Sequence, residues 1–235
     1  MEKLGKIEPG SMVIDMDDVL TFTTNYWFNC IVKNIKVFEP YINMNLIPKN
    51  YSYDKDFYYP LTRPTYNFGD WLCRKDLSNE DYLVARGFIM EAYFREKTFY
   101  QYVMQTPLVN ALIDMFNYNH FKFNKIYIVT RTFEEFMNAK KDCIKKLFLP
   151  IIKDVEIIFT GMTETKSESI KDIEKVSLII DDELSNIYDY IDHSNNIDNA
   201  LVVIPMTGYN TPFSKEYLEK AKEKNLMIKY YNFKK

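Results

Sequence analysis

The sequence predicts an α/β chain, a doubly wound parallel sheet whose first strand is followed by a long, mainly helical insertion. Three observations carry this. Short apolar runs recur between helix-like segments, and strands alternating with helices build a parallel sheet covered on both faces. The first run, Met12-Val13-Ile14, stops abruptly at Asp15, Asp17 and Asp18. Between residues 22 and 105 no strand-like run interrupts a helical and aromatic stretch. Residues 1–21 and 106–235 then form the core, and 22–105 an inserted cap.

The composition bounds the function. A chain of 235 residues, 47% hydrophobic and 16% aromatic, has material for a sizeable core. Six glycines and nine prolines exclude a low-complexity chain. A net charge of −3 supplies no basic footprint for duplex nucleic acid. Cys30, Cys73 and Cys143 lie far apart without C-x-x-C spacing, which indicates neither zinc nor a disulfide framework. The first residues are charged, and no apolar run approaches ~18 residues, so neither a signal peptide nor a membrane span is expected. A soluble, reducing, cytoplasmic setting fits.

The elements follow in order. Met12–Ile14 is a buried strand. Ile31–Phe38 has the apolar stripe of a helix. Glu39–Asp70 is rich in proline and aromatics without a strong period. Asn79–Met104 returns to a helical pattern. Leu108–Tyr118 is an amphipathic helix, with Leu108, Ala111, Leu112, Met115 and Phe116 on one face. Lys125–Thr130 is a second strand, and Phe133–Leu149 a helix closed by Pro150. Val155–Thr160 is a third strand, Ser167–Glu174 a short helix, Val176–Ile180 a fourth strand and Leu201–Pro205 a fifth. Lys215–Lys224 is the last helix, before a β-like tail over Leu226–Phe233.

Ligands of open α/β sheets collect beyond the carboxyl ends of the strands. There the sequence places Asp15 and Asp17 after the first strand, Thr130 after the second, Lys166 after the third and Asp181-Asp182 after the fourth. Crowded carboxylates are costly without a cation. The pair therefore points to a metal, and magnesium needs only a few protein oxygens. A strand running into an acidic turn is the plainer alternative for Asp15–Asp18, and a helix N-cap for Asp181-Asp182.

The ordered set resembles the haloacid dehalogenase (HAD) superfamily of phosphohydrolases. Its four motifs read here as Asp15-Met16-Asp17-Asp18-Val19, then Thr130, then Lys166, then Asp181-Asp182. Within that superfamily the chain looks most like the 5′(3′)-deoxyribonucleotidase group, in the form of the first motif, the doubled aspartate and Thr106-Pro107 before a helix. Asp18 departs from the commoner glycine. Lys171 is a second candidate for the lysine; Lys166 is preferred because it follows the third strand directly.

The resemblance implies a Rossmann-like core with a helical cap, and magnesium-dependent hydrolysis of a phosphate monoester, a (deoxy)nucleoside monophosphate above all. It makes Asp15 the nucleophile and Asp17 the general acid and base. Thr130 and Lys166 bind phosphoryl oxygens, with Arg131 beside them, and Asp15, the Asp17 carbonyl and Asp181 hold magnesium. Asp182 orients Lys166 or a metal-bound water. The cap aromatics Tyr26, Trp27, Phe28, Tyr66, Phe68 and Trp71 are candidates to stack a nucleobase, with packing inside the cap as the competing reading. Asn210 falls in a loop resembling one that closes over the site. Another small phosphate ester or a nucleic-acid end as substrate, and a non-catalytic binding protein on the same fold, are the alternatives. Both an intact nucleophile and an intact acid count against the last.

Overall fold

The structure, a computed structural model, describes residues 9–49, 51, 68–92, 98–117, 123–148, 155–207, 210 and 212–233. Six strands form one sheet: β1 (Gly10–Ile14), β2 (Phe123–Arg131), β3 (Val155–Thr160), β4 (Val176–Ile180), β5 (Leu201–Pro205) and β6 (Met227–Tyr231). Their order is β3-β2-β1-β4-β5-β6, and every pairing is parallel. The β-like tail is thus a sixth strand of the same sheet. The fold is the doubly wound α/β arrangement that the alternation predicts.

β1 lies at the centre because it is apolar on both sides. Met12 and Ile14 face one hydrophobic cluster, while Val13 faces the other with Val129, Ile179 and Val202. This is the two-residue period of a strand whose two faces are both covered. Ile14 is level with Ile128 of β2 and Ile180 of β4, so β1 and β4 end together while β2 runs on to Arg131.

The expected helices shift in ways their packing explains. The first begins earlier, at Thr23, and runs to Lys33 (α1), followed by a short helix Ile35–Phe38 (α2). The start is set by Asp18, whose Oδ1 accepts the Thr24 amide at 2.8 Å. Phe22, the residue at the N-cap position, makes no side-chain cap bond. Further on, Phe68–Leu72 (α3), Asn79–Glu91 (α4) and Phe99–Tyr102 (α5) are helical, and Pro107–Asn117 (α6) leads back to β2. Ser78 caps α4 by accepting the Asp81 amide at 3.1 Å. After β2 a single 3-10 turn, Glu134–Phe136, precedes α7 (Met137–Phe148). The turn α8 (Lys166–Ser169) is shorter than expected, and α9 (Leu184–His193), between β4 and β5, was not anticipated. Lys215–Glu223 is α10. Pro150, Tyr66, Gly208 and Tyr209 lie outside the described residues.

The two ends of the insertion meet. Thr21 bridges Gln105, the Phe22 amide donates to the Met104 carbonyl at 2.8 Å, and the Thr106 amide donates to Leu20 at 2.9 Å. Beyond this neck the insertion packs on the sheet: Trp27, Phe28, Ile31, Leu72, Ile89 and Phe99 share one cluster with Met12 and Ile14. Two of the expected stacking aromatics are accordingly core residues, and two more are half-buried against that core. Trp27 and Phe28 are buried, Tyr26 meets Phe99 edge-on at 5.1 Å, and Trp71 tilts against Phe28 at 5.9 Å. Tyr66, and the side chain of Phe68, lie outside the described residues. Trp27→Ala is therefore expected to lower the unfolding free energy by ~3–5 kcal/mol in denaturant titrations. A loss under ~1 kcal/mol would return Trp27 to the candidates for ligand contact.

Candidate active site

At the end of β1 the chain leaves β geometry at once. The Leu20 and Thr21 amides both donate back to the Met16 carbonyl, at 2.9 and 3.1 Å, closing a tight turn. Asp18 takes a left-handed backbone (φ 57°), a conformation that aspartate tolerates better than most residues. This explains how aspartate stands where a glycine is commoner. The turn brings Asp15 and Asp17 to one cavity of about 350 Å³, which Lys140, Lys166 and Asp182 also line.

Asp15 is held at three points. Its amide donates to Ile180 of β4 at 2.8 Å, and its Oδ1 accepts the Met16 amide at 2.7 Å and faces Lys166 Nζ at 2.9 Å. Lys166 also donates to Asp181 Oδ2 at 2.8 Å. The turn that carries it is fixed by Asp189 of α9, which accepts the Ser167 amide and hydroxyl, both at 2.9 Å. Lys171 instead pairs with Glu168 on the surface, away from the cavity.

Of the two parts expected for Asp182, orienting Lys166 or a metal-bound water, the structure gives the first to its neighbour. Asp181 takes that part, and its Oδ1 further accepts the Glu183 amide at 3.0 Å and Asn186 Nδ2 at 3.1 Å. The Asp182 carboxyl makes no hydrogen bond among the described residues, and it lines the cavity. The physical reason is the alternation of successive residues at the strand end, which turns Asp181 toward Lys166 and α9. Asn210 donates to the Asp182 carbonyl at 3.0 Å and to Pro205 at 2.7 Å, so it braces the backbone here and does not line the cavity.

On the other side, Asp17 Oδ1 accepts the Thr23 hydroxyl at 2.7 Å, and Oδ2 pairs with Lys140 at 2.5 Å. Thr130 is buried behind Lys140, which donates to its hydroxyl at 2.9 Å. Arg131 lines the cavity and lies 3.7 Å from Glu183; its Nε has no hydrogen-bond partner among the described residues. Met90, Phe133, Phe136 and Met162 supply the apolar walls. Lys140 and Asn186 were missed from the sequence. For Lys140 a signal was present, because it interrupts the helical apolar stripe Phe136, Cys143, Ile144, Leu147.

Carboxylate oxygens of Asp15, Asp181 and Asp182 come within 4.8 Å of one another. Three carboxylates against the single Lys166 ammonium leave two negative charges, and hard oxygen donors suit a divalent ion such as magnesium. The electrostatics agree. Burial pushes the Asp15 carboxyl up to about 7, with Lys166 opposing and Asp181 and Asp17 adding to the rise. Burial also pushes Asp182 well above the carboxylate range, with Asp18, Asp15 and Asp181 contributing. For Lys166, burial alone disfavours the ammonium, but Asp15 and Asp181 outweigh it and hold the lysine charged.

Solved structures share this architecture. A haloacid dehalogenase-like hydrolase from Streptococcus pneumoniae matches with a TM-score of 0.53 at 14% identity, over 96% of this chain and 95% of that one. A candidate phosphatase from Clostridium difficile matches with a TM-score of 0.50 at 13% identity, again over 96% and 95%. The fold is that of the haloacid dehalogenase-like hydrolases. No family model and no curated protein sequence matches the chain. No helix among the described residues is long and apolar enough to cross a membrane.

The acidic trio makes a pH-dependent prediction. With Asp15 raised from 3.8 to about 7, the folded chain keeps a proton that the unfolded chain releases between those values. The stability this group contributes is full below the unfolded value and is lost as pH rises through the folded one. A divalent cation binds the ionised carboxylate and removes that loss. Added magnesium should therefore raise Tm more at about pH 8 than at about pH 5.5. An equal or smaller gain at the higher pH would argue against a cation held by this trio.

Proposed function

We propose that the chain is a magnesium-dependent phosphomonoesterase that works through an aspartyl-phosphate on Asp15, with residues 22–105 as its cap. The observation that carries this is the pairing at the end of β1. Asp15 and Asp17 face one cavity, and each is held by its own buried lysine. A binding protein has no need of two carboxylates so placed.

Asp15 Oδ1 is occupied by Met16 and Lys166, which leaves Oδ2 to attack phosphorus as the bond to the leaving oxygen breaks. Asp17 gives its proton to that oxygen, then takes one from the water that cleaves the acyl phosphate and frees inorganic phosphate. Lys166 uses two of its three N–H groups on Asp15 and Asp181, and the third serves a phosphoryl oxygen. Arg131 adds positive charge at the mouth, and Thr130 a hydroxyl beneath it. Asp15 and Asp182, with Asp181 beside them and the Asp17 carbonyl as a further oxygen, would hold magnesium, whose charge lets an anionic nucleophile approach an anionic ester.

The substrate reading is a (deoxy)nucleoside monophosphate, as in the 5′(3′)-deoxyribonucleotidase group. The likeness of the first and fourth motifs supports it, together with walls of Met90, Phe133, Phe136 and Met162 suited to a flat apolar leaving group. A panel of phosphate esters, assayed with and without magnesium, tests it. Nucleoside monophosphates should rank first in kcat/KM, and a sugar phosphate ranking above them would overturn the nucleotide assignment.

Asp15→Asn keeps the shape of the side chain and removes the nucleophile, so phosphate release should fall to background while the fold persists. Activity within about tenfold of wild type, only ~1.4 kcal/mol of barrier, would remove Asp15 from that role.

A further inference from the structure

Lys140 is buried on the apolar stripe of α7, at 1% exposure. An ammonium in such a place is costly unless its charge and all its donors are met. Here they are. Nζ lies 2.5 Å from Asp17 Oδ2, 2.9 Å from Thr130 Oγ1 and 2.7 Å from the Arg131 carbonyl. The Tyr100 ring of α5, part of the insertion, covers a further side with its centroid 5.3 Å away.

We infer that Lys140 is a positioning residue for the acid–base carboxylate, tying Asp17 to the end of β2 without binding the substrate phosphate itself. The inference rests on the phosphatase reading above. An ammonium has three N–H donors, and these three contacts use all of them, whereas Lys166 keeps one for a ligand. The division of labour follows from that count. Asp17 has two points of support, Thr23 on Oδ1 and Lys140 on Oδ2, which fix the plane of its carboxyl. Lys140 also sets the Thr130 hydroxyl. By donating to Oγ1 it directs that hydroxyl's single proton to another acceptor; among the described residues that is the Arg131 carbonyl, at the marginal distance of 3.5 Å. Tyr100 brings the insertion into the same contact, so the element that covers the site touches the group that steadies its acid.

The test compares two esters on the full chain with magnesium: a simple alkyl phosphate, whose leaving group needs an acid, and p-nitrophenyl phosphate, whose leaving group does not. Lys140→Met should lower kcat on the alkyl ester by about 100-fold and on p-nitrophenyl phosphate by less than about tenfold, within the range general acid catalysis supplies. KM and inhibition by inorganic phosphate should stay within about threefold, and Lys140→Arg should recover at least about tenfold of the alkyl-ester loss. Equal losses on both esters would overturn the inference, as would weakened phosphate inhibition with kcat intact, since that is the signature of a lysine that binds phosphate. Thermal unfolding monitors the fold, and Lys140→Gln replaces Lys140→Met if the methionine variant does not fold. Wild type and Asp15→Asn are run alongside. An active wild type with an unaffected Lys140→Met refutes only the role of Lys140, while an inactive wild type refutes the phosphatase reading and this inference with it.

Discussion

Lys166 holds the centre of the sheet together at its functional end. Its ammonium lies between Asp15, at the end of β1, and Asp181, at the end of β4, and it is almost fully buried. Buried charges that lose a partner cost ~3–5 kcal/mol, because the group left behind is uncompensated. The two strand ends are therefore coupled to one side chain that comes from a third place, the turn after β3. The parallel register supplies the geometry, since Ile14 is level with Ile180 and the Asp15 amide continues the ladder into β4. Asp189 and Asn186, both on α9, then brace the lysine turn and Asp181. When ionised, the three carboxylates at these strand ends exceed the one Lys166 ammonium by two charges.

The insertion belongs to the same energetic unit. Among the described residues its buried aromatics Trp27, Phe28, Phe38, Phe99 and Tyr100 belong to the same apolar cluster as Met12 and Ile14. Among the described residues, the part that lines the cavity is Met90 and Glu91, at the end of α4. The walls opposite come from the core, from Phe133 and Phe136 just after β2. Aromatic content alone therefore misleads here. A Trp in the insertion is at once the residue best suited to stack a base and the residue with most apolar area to bury, and burial against the sheet won.

Much of the frame was legible because it rests on local periodicity. Apolar runs located β1 to within two residues, and β3, β4 and β5 to the residue. α9 was missed although its buried positions, Leu184, Ile187, Tyr190 and Ile191, recur at helical spacing. The start of α1 was hidden because its cap comes from Asp18, several residues upstream, and not from the residue at the N-cap. At the site, the residues at strand ends were readable as a set, since topology alone sends them to one edge. Their pairwise division was not. Whether Asp181 or Asp182 meets Lys166 depends on side-chain direction at the last residues of β4, which spacing does not encode. Lys140 was missed for a plainer reason: a lysine in a helix is normally read as solvated.

The two buried lysines form separate circuits, and the turn between Asp15 and Asp17 is what keeps them apart. Asp15 belongs with Lys166, Asp181 and Asp182; Asp17 belongs with Lys140, Thr23 and Thr130. In a continuous strand Asp15 and Asp17 would point the same way, one pleat apart, and would compete for one cation. The left-handed residue Asp18 and the bonds to the Met16 carbonyl break that regularity within four residues. Each carboxylate then gains its own counter-charge while both still face the cavity. Under the proposed chemistry this separation matters, because a nucleophile must stay ionised while its neighbour exchanges a proton. Two carboxylates sharing one lysine would titrate as a coupled pair, and the proton state of each would then depend on that of the other.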